Sequence, residues 1–243
     1  MPLDPLLAPL VEAPDRSAII LDVDGVLAPI VARPELSEVP ASTQGELRRL
    51  AVNYLLVACV SGRSGEDAKR LVGVDGVRVV GNHGLELDPR APELAEEIRR
   101  FREGTPEVSG AWIEDKGLSF TFHYRGAEDP DAVEAALEPI ARRAEEAGLE
   151  AFHGRMVLEI RPGVRVNKGT AVRALVRESG ATRGLYAGDD TTDLDAFDGL
   201  GMIGLDHAVR VAVASEEGPP MLREQADLVV ESPEAFAALL SEL

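Results

Sequence analysis

A single cysteine, Cys59, in 243 residues excludes an internal disulfide. It lies inside the apolar stretch YLLVACV and reads as a small buried hydrophobe in a reducing cytoplasm. Aromatic residues are scarce, at 4%, and no run of eighteen apolar residues occurs, so nothing reads as a membrane span. The opening stretch MPLDPLLAPLVEAPDR has no basic region and reaches Asp4 and Pro5 at once, which argues against a signal peptide. Positive charge is also short: 25 Lys and Arg face 43 Asp and Glu, a formal charge of −18. A field of that sign repels nucleic acid and anionic lipid, so neither is expected as a partner. Most of the acids read as a solubilising surface. They impose one requirement, that an anionic substrate be met by cations or a metal placed locally.

Hydrophobic residues make up 45% of the chain, enough for a core, and the length corresponds to ~1.6 average domains. Short apolar runs recur between polar breaks: AIILD (18–22), YLLVACVS (54–61), VRVVG (77–81), GLYAGD (184–189), MIGLD (202–206) and ADLVV (226–230). Their lack of alternation suits strands buried on both faces of a parallel sheet. Helical stretches lie between them, in STQGELRRLAV, GEDAKRLV, KGTAVRALVRES and the closing SPEAFAALLSEL. In the last, Ser232 can cap and Pro233 fills the first helical position. Strand and helix alternating in this way predict a doubly wound, mostly parallel α/β core of residues 1–86 and 165–243.

Residues 87–164 read as an α+β insertion. LSFTFHYR (118–125) alternates, with Leu118, Phe120, Phe122 and Tyr124 on one face and Ser119, Thr121, His123 and Arg125 on a half-exposed other. MVLEIR (156–161) alternates too. Between them DAVEAALEPIARRAEEAG has helical spacing and stops at Gly148, with Pro139 expected to kink or interrupt it.

Polar chemistry gathers at the predicted strand ends, where open parallel sheets bind ligands. The first strand ends in Asp22 and Asp24, the second in Ser61-Gly62-Arg63, and the fourth in Asp189 and Asp190 with Asp193 beyond. Lys168 opens the helix before the fourth. Crowded carboxylates need a counter-charge, and a hard divalent cation such as Mg2+ supplies one through oxygen ligands and a substrate phosphate. Each stretch alone has a plainer reading: DxDG as a turn or calcium-type loop, SGRS as a capped βα turn, GDDTTD as a solvated acidic loop. NKGT lacks the Gly-Lys-Thr order of a nucleotide P-loop and is not read as one. The ordered set suits phosphoryl transfer, with one Asp as nucleophile and the other as general acid and base.

DVDGV, Ser61, Lys168 and GDDTTD resemble the four motifs of the haloacid dehalogenase-like phosphatases. The resemblance implies Asp22 as nucleophile and Asp24 as general acid/base. It implies Mg2+ held by Asp22, the Asp24 backbone carbonyl and Asp189, with Asp190 and Asp193 supporting the metal. Ser61, Gly62 and Lys168 would hold the phosphate, and the insertion would be a cap. GNHGLEL, WIEDKGLSFTFHYR, GRMVLEIRPGVRVNKG and YAGDDTTDLDAF are similar to the trehalose-6-phosphate phosphatases. That similarity implies Glu114, Lys116 and Glu159 at the sugar hydroxyls, with Arg63, Asn82 and His83 near the substrate. The plainer readings are a surface pair for Glu114 and Lys116 and a structural turn for His83. Val23, Val26, Gly163, Val166, Asn167 and Leu194 depart from the commoner family residues. The expectation is a cytoplasmic, monomeric Mg2+-dependent enzyme that hydrolyses trehalose 6-phosphate, with a small-molecule sugar phosphate as its partner. The alternatives are a phosphatase of sucrose phosphate or of a glucosyl- or mannosyl-glycerate phosphate, and a non-catalytic sugar-phosphate sensor.

Overall fold

The protein is seen here as a computed structural model that describes residues 4–31, 34–154, 156–214 and 218–243. In chain order it begins with α1 (Ala8–Glu12), β1 (Ser17–Leu21), α2 (Ala41–Asn53), β2 (Leu56–Val60), α3 (Gly65–Val72) and β3 (Arg78–Val80). There follow α4 (Ala91–Glu103), β4 (Trp112–Asp115), β5 (Phe120–His123), α5 (Pro130–Glu146), β6 (Leu149–Gly154) and β7 (Val157–Pro162). The last third holds α6 (Lys168–Ser179), β8 (Arg183–Gly188), α7 (Thr192–Gly201), β9 (His207–Val213), α8 (Pro220–Gln225), β10 (Leu228–Val230) and α9 (Pro233–Leu240). Two compact units result, residues 1–84 with 166–243 and Leu85–Arg165. No helix among the described residues is long and apolar enough to cross a membrane.

The first unit is a parallel six-stranded sheet in the order β10-β9-β8-β1-β2-β3. The chain moves from β1 towards β3 on one side and from β8 towards β10 on the other, so β1 and β8 flank the topological switch point. All five residues of β1 are buried, which explains its unbroken apolar run. Ile19 and Leu21 pack with Leu47, Leu50, Phe236 and Leu240 from α2 and α9, and alternation sends Ala18 and Ile20 to the opposite face. Cys59 sits in that core with its thiol pushed up by burial. The helices start on their sequence signals. Ser64 accepts from Asp67 N, Ser232 from Ala235 N, and Asn167 with Thr170 forms a reciprocal capping box on α6.

The second unit is an antiparallel four-stranded sheet, β4-β5-β7-β6. Phe120, Phe122, Leu158 and Ile160 on one face form a core with Ile98 of α4 and with Val133, Leu137 and Ile140 of α5.

Three expectations are corrected. Residues 202–206 form no strand, because Met202 is 69% exposed; the strand is β9, five residues on, where the Arg210 guanidinium is paired with the Asp227 carboxylate by two hydrogen bonds. Helix α5 runs through Pro139 without interruption, because the lost backbone bond is outweighed by the buried stripe Val133, Leu137, Ile140, Ala141 and Ala144. Ser119 and Thr121 are buried rather than half-exposed, and the Ser119 hydroxyl donates to Glu159 at 2.9 Å.

Candidate active site

The carboxyl ends of β1, β2 and β8 are adjacent, with Leu21 in register with both Cys59 and Ala187. Asp22 is the first residue past β1, and its N–H donates to the Ala187 carbonyl at 2.9 Å. Its Oδ1 accepts from Val23 N at 2.7 Å, and its Oδ2 lies 2.8 Å from Lys168 Nζ. Gly25 follows with φ +79°, and a Cβ there would fall 2.0 Å from Asp189 Oδ2. The DVDG turn therefore needs glycine twice over, for its left-handed backbone and for the approach of the Asp189 carboxylate.

Asp193, on the first turn of α7, is fully buried and ties the site together. Its Oδ1 accepts from Lys168 Nζ at 2.7 Å and Tyr186 OH at 2.6 Å. Its Oδ2 accepts from the backbone N–H groups of Asp189 and Asp190 at 2.9 and 3.0 Å. Lys168 is placed by the packing of α6 on α7 through glycines. A Cβ on Gly169 would lie 2.1 Å from the Asp195 carbonyl oxygen, and one on Gly199 would lie 2.5 Å from the Gly169 carbonyl oxygen. Backbone meets backbone there, and Nζ is delivered between Asp22 and Asp193.

The charges do not balance. Asp22, Asp189 and Asp193 bring one carboxylate oxygen each within 4.8 Å of one another, all buried, beside a single lysine. Burial raises the Asp22 carboxyl well above the usual range against the pull of Lys168, and it raises Asp193 likewise. Asp189 is pushed up to about 8 by burial and by the neighbouring Asp193 and Asp190 charges. Asp190 is burdened by burial, yet Lys168 and two hydrogen bonds from Thr192 hold it below its ordinary value. For Lys168 the carboxylates outweigh burial, which works the other way, and keep it protonated.

This donor set fits a hard divalent cation. The four hydrogen bonds to Asp193 engage both of its oxygens, which suits it to support, while Asp22 and Asp189 retain acceptor capacity.

Asp24 points elsewhere. Arg63 grips it with two hydrogen bonds of 2.7 Å, and Ser37 donates to the same carboxylate at 3.1 Å. The same guanidinium donates to Asp67 at 2.8 Å. Ser61 follows β2, and its hydroxyl accepts from Arg63 N at 3.2 Å. Gly62 lies against His83, whose ring would be 2.7 Å from an added Cβ. Asn82 and His83 both have positive φ, 50° and 53°, and are pinned by N–H bonds to the Arg63 and Ser61 carbonyls. Paired strain of this kind persists only where surrounding contacts over-determine it.

In the second unit, Lys116 Nζ lies 3.2 Å from Glu159 and 3.9 Å from Glu114, whose Oε2 meets His123 Nε2 at 2.8 Å. Glu114, Thr121 and Glu159 are register neighbours across β4, β5 and β7 and so share one face of the sheet.

Comparison with known proteins decides the family. The trehalose-phosphatase profile matches residues 20–228. The chain belongs to the trehalose-phosphatase family. A probable trehalose-phosphate phosphatase of Sinorhizobium fredii is 31% identical over 94% of this chain and 88% of its own length. An uncharacterised glycosyl hydrolase of Mycobacterium tuberculosis is 33% identical over 94% of this chain, which spans 18% of that protein. The chain spans about half of the mycobacterial trehalose-phosphate phosphatases it matches, 54% in Mycobacterium marinum. Among solved structures, a trehalose-6-phosphate phosphatase related protein superposes with a TM-score of 0.70 and 26% identity, covering 92% of this chain and 95% of that one.

Within this chain Asp22, Lys168, Asp189 and Asp193 meet in one cluster, with Asp190 joined through its backbone to Asp193. Ser61, Gly62, Arg63, Asn82 and His83 form a second knot around the end of β2, and Glu114, Lys116 and Glu159 form a third on the antiparallel sheet. Sequence reasoning missed Tyr186, Asp67, Ser37 and His123, which orient members of these groups. Only Tyr186 left a signal, as a hydroxyl inside an otherwise apolar strand three residues before Asp189.

Proposed function

We propose that the protein is a Mg2+-dependent phosphatase that hydrolyses trehalose 6-phosphate to trehalose and phosphate in the cytoplasm. The observation that carries the reading is Asp22 Oδ2 at 2.8 Å from Lys168 Nζ, two residues before a second aspartate. A binding module has no need of a nucleophile beside an acid. Asp22 attacks phosphorus in line and breaks its bond to the sugar oxygen, forming an aspartyl-phosphate, while Asp24 gives that oxygen a proton. Water then attacks the phosphorus of the aspartyl-phosphate, Asp24 takes its proton, phosphate departs and Asp22 is regenerated. Before the first step Asp24 must release part of its grip on Arg63. Lys168 orients Asp22 and, with Ser61 and the Gly62 backbone, binds the phosphoryl oxygens. Asp22, Asp189 and the Asp24 carbonyl would hold Mg2+, which supplies positive charge against the phosphoryl group. Asp190 and Asp193 support that site. Arg63, Asn82 and His83 lie near the phosphate ester, and Glu114, Lys116 and Glu159 bind sugar hydroxyls through charge-assisted hydrogen bonds.

The test is phosphate release with Mg2+ from trehalose 6-phosphate, sucrose 6-phosphate, glucose 6-phosphate, a mannosyl-glycerate phosphate and an aryl phosphate. Trehalose 6-phosphate is expected to turn over fastest, and Asp22→Asn or a chelator to lower the rate roughly 10³-fold or more. Preference for another sugar phosphate would discard the substrate and keep the chemistry. Full activity in Asp22→Asn would sink the mechanism.

A further inference from the structure

Trp112 on β4 has no role in the reading above, yet it is the only tryptophan in the chain and remains 43% exposed. Its register partner on β5 is His123, and the two rings lie parallel, 4.2 Å between centroids and 10° between planes. Glu114 meets the imidazole at 2.8 Å and so fixes the support on which the indole rests. Glu114 is also two residues beyond Trp112 on the same strand, which puts both on one face about 6.5 Å apart. Beside Glu114 on that face stand Thr121 and Glu159, and the buried Thr121 hydroxyl has no hydrogen-bond partner among the described residues. A firmly held flat aromatic next to carboxylates and an ammonium matches the two surfaces of a sugar ring. The C–H face of a pyranose lies on the aromatic plane while its hydroxyls reach the charged groups at the edge.

We propose that Trp112 is a stacking platform for a pyranose ring of the substrate and thereby a specificity-determining residue. The inference rests on the phosphatase reading and deepens it. A phosphate ester without a ring gains nothing from Trp112.

Because the chain has one tryptophan, its emission reports on this residue alone. Trehalose 6-phosphate is titrated into the 243-residue Asp22→Asn protein with Mg2+, followed in parallel by calorimetry and by tryptophan emission, with inorganic phosphate as control. The expected result is a saturable emission change whose midpoint matches the calorimetric Kd and which phosphate alone does not produce. Calorimetric binding with silent emission, or the same change with phosphate, overturns the platform and leaves the phosphatase reading standing. Absence of calorimetric binding overturns trehalose 6-phosphate as the substrate and the platform with it, while phosphate release across the substrate panel decides the phosphatase chemistry separately. In the active protein, Trp112→Ala is expected to raise KM for trehalose 6-phosphate roughly 3- to 10-fold, with Trp112→Phe closer to the parent. An equal loss of kcat/KM on acetyl phosphate, which has no ring, would assign Trp112 a structural role instead.

Discussion

Lys168 and Lys116 each sit between two carboxylates, in different units of the molecule. Lys168 lies 2.8 and 2.7 Å from Asp22 and Asp193, with its own side chain 2% exposed and those of its partners 7% and 0%. Lys116 lies 3.2 and 3.9 Å from Glu159 and Glu114, with its side chain 13% exposed and theirs 7% and 22%. One positive charge against two negative ones thus takes two physical forms. In the first unit it is shut away from water at fixed short range, where an unmatched charge is costly. In the second it is looser and wetter, so its members can exchange partners at modest cost. The first form suits a reacting centre whose groups must not move, and the second suits recognition of a ligand rich in hydroxyls.

The contrast breaks most sharply at Lys168. Lys168→Met leaves Asp22 and Asp193 buried without their cation, and a loss of about 3–5 kcal/mol in unfolding free energy is expected together with loss of turnover. Denaturant unfolding alongside phosphate release measures both; an unchanged midpoint would mean that the buried pairs contribute no net stability.

A smaller effect tests the imbalance of charge. Asp189 titrates near 8, and Asp22 and Asp193 are also raised, so the folded protein binds protons that the unfolded chain gives up near pH 4. Stability of the metal-free protein contributed by these groups is therefore present at low pH and falls as pH rises from about 4 towards 8. Under the proposed function, bound Mg2+ would replace those protons, so its stabilising effect should grow over the same interval. Thermal melts with chelator and with Mg2+ at pH 5.5 and 8 read this directly. A Tm increment from Mg2+ that is no larger at pH 8 would contradict it.

The smallest effect on stability is expected at the other lysine. Lys116→Met should cost about 1–3 kcal/mol, less than Lys168→Met because Lys116 and Glu114 are partly exposed, while KM for trehalose 6-phosphate rises and turnover of acetyl phosphate is kept. A stability loss rivalling that of Lys168→Met would erase the distinction between the two clusters.

How much of this was legible in the sequence follows from how local each feature is. Strands β1, β2 and β8 announce themselves because both faces are buried, and α3, α6 and α9 because their caps are written within four residues. Strand β9 does not, since Arg210 looks solvent-bound until Asp227, 17 residues on, neutralises it. The acids and the lysine at the strand ends were readable as one constellation, because parallel topology alone brings such ends together. The hold of Arg63 on Asp24 was not, as it joins residues 39 apart through a turn that no local pattern specifies. Nor was the parallel stacking of Trp112 on His123, which depends on the register of β4 against β5.

The meeting of α6 and α7 at Gly169 and Gly199 bears on how such a protein can change over generations. The spacing there is set by main-chain atoms, which every sequence shares, rather than by the bulk of any side chain. Residues elsewhere on the two helices can therefore drift and repack while Lys168 stays at the same reach from Asp22. A single methyl group at either glycine, by contrast, would pry the helices apart and withdraw the lysine. The cluster around Lys168 is insulated from most of its own neighbourhood and sensitive at two positions in it.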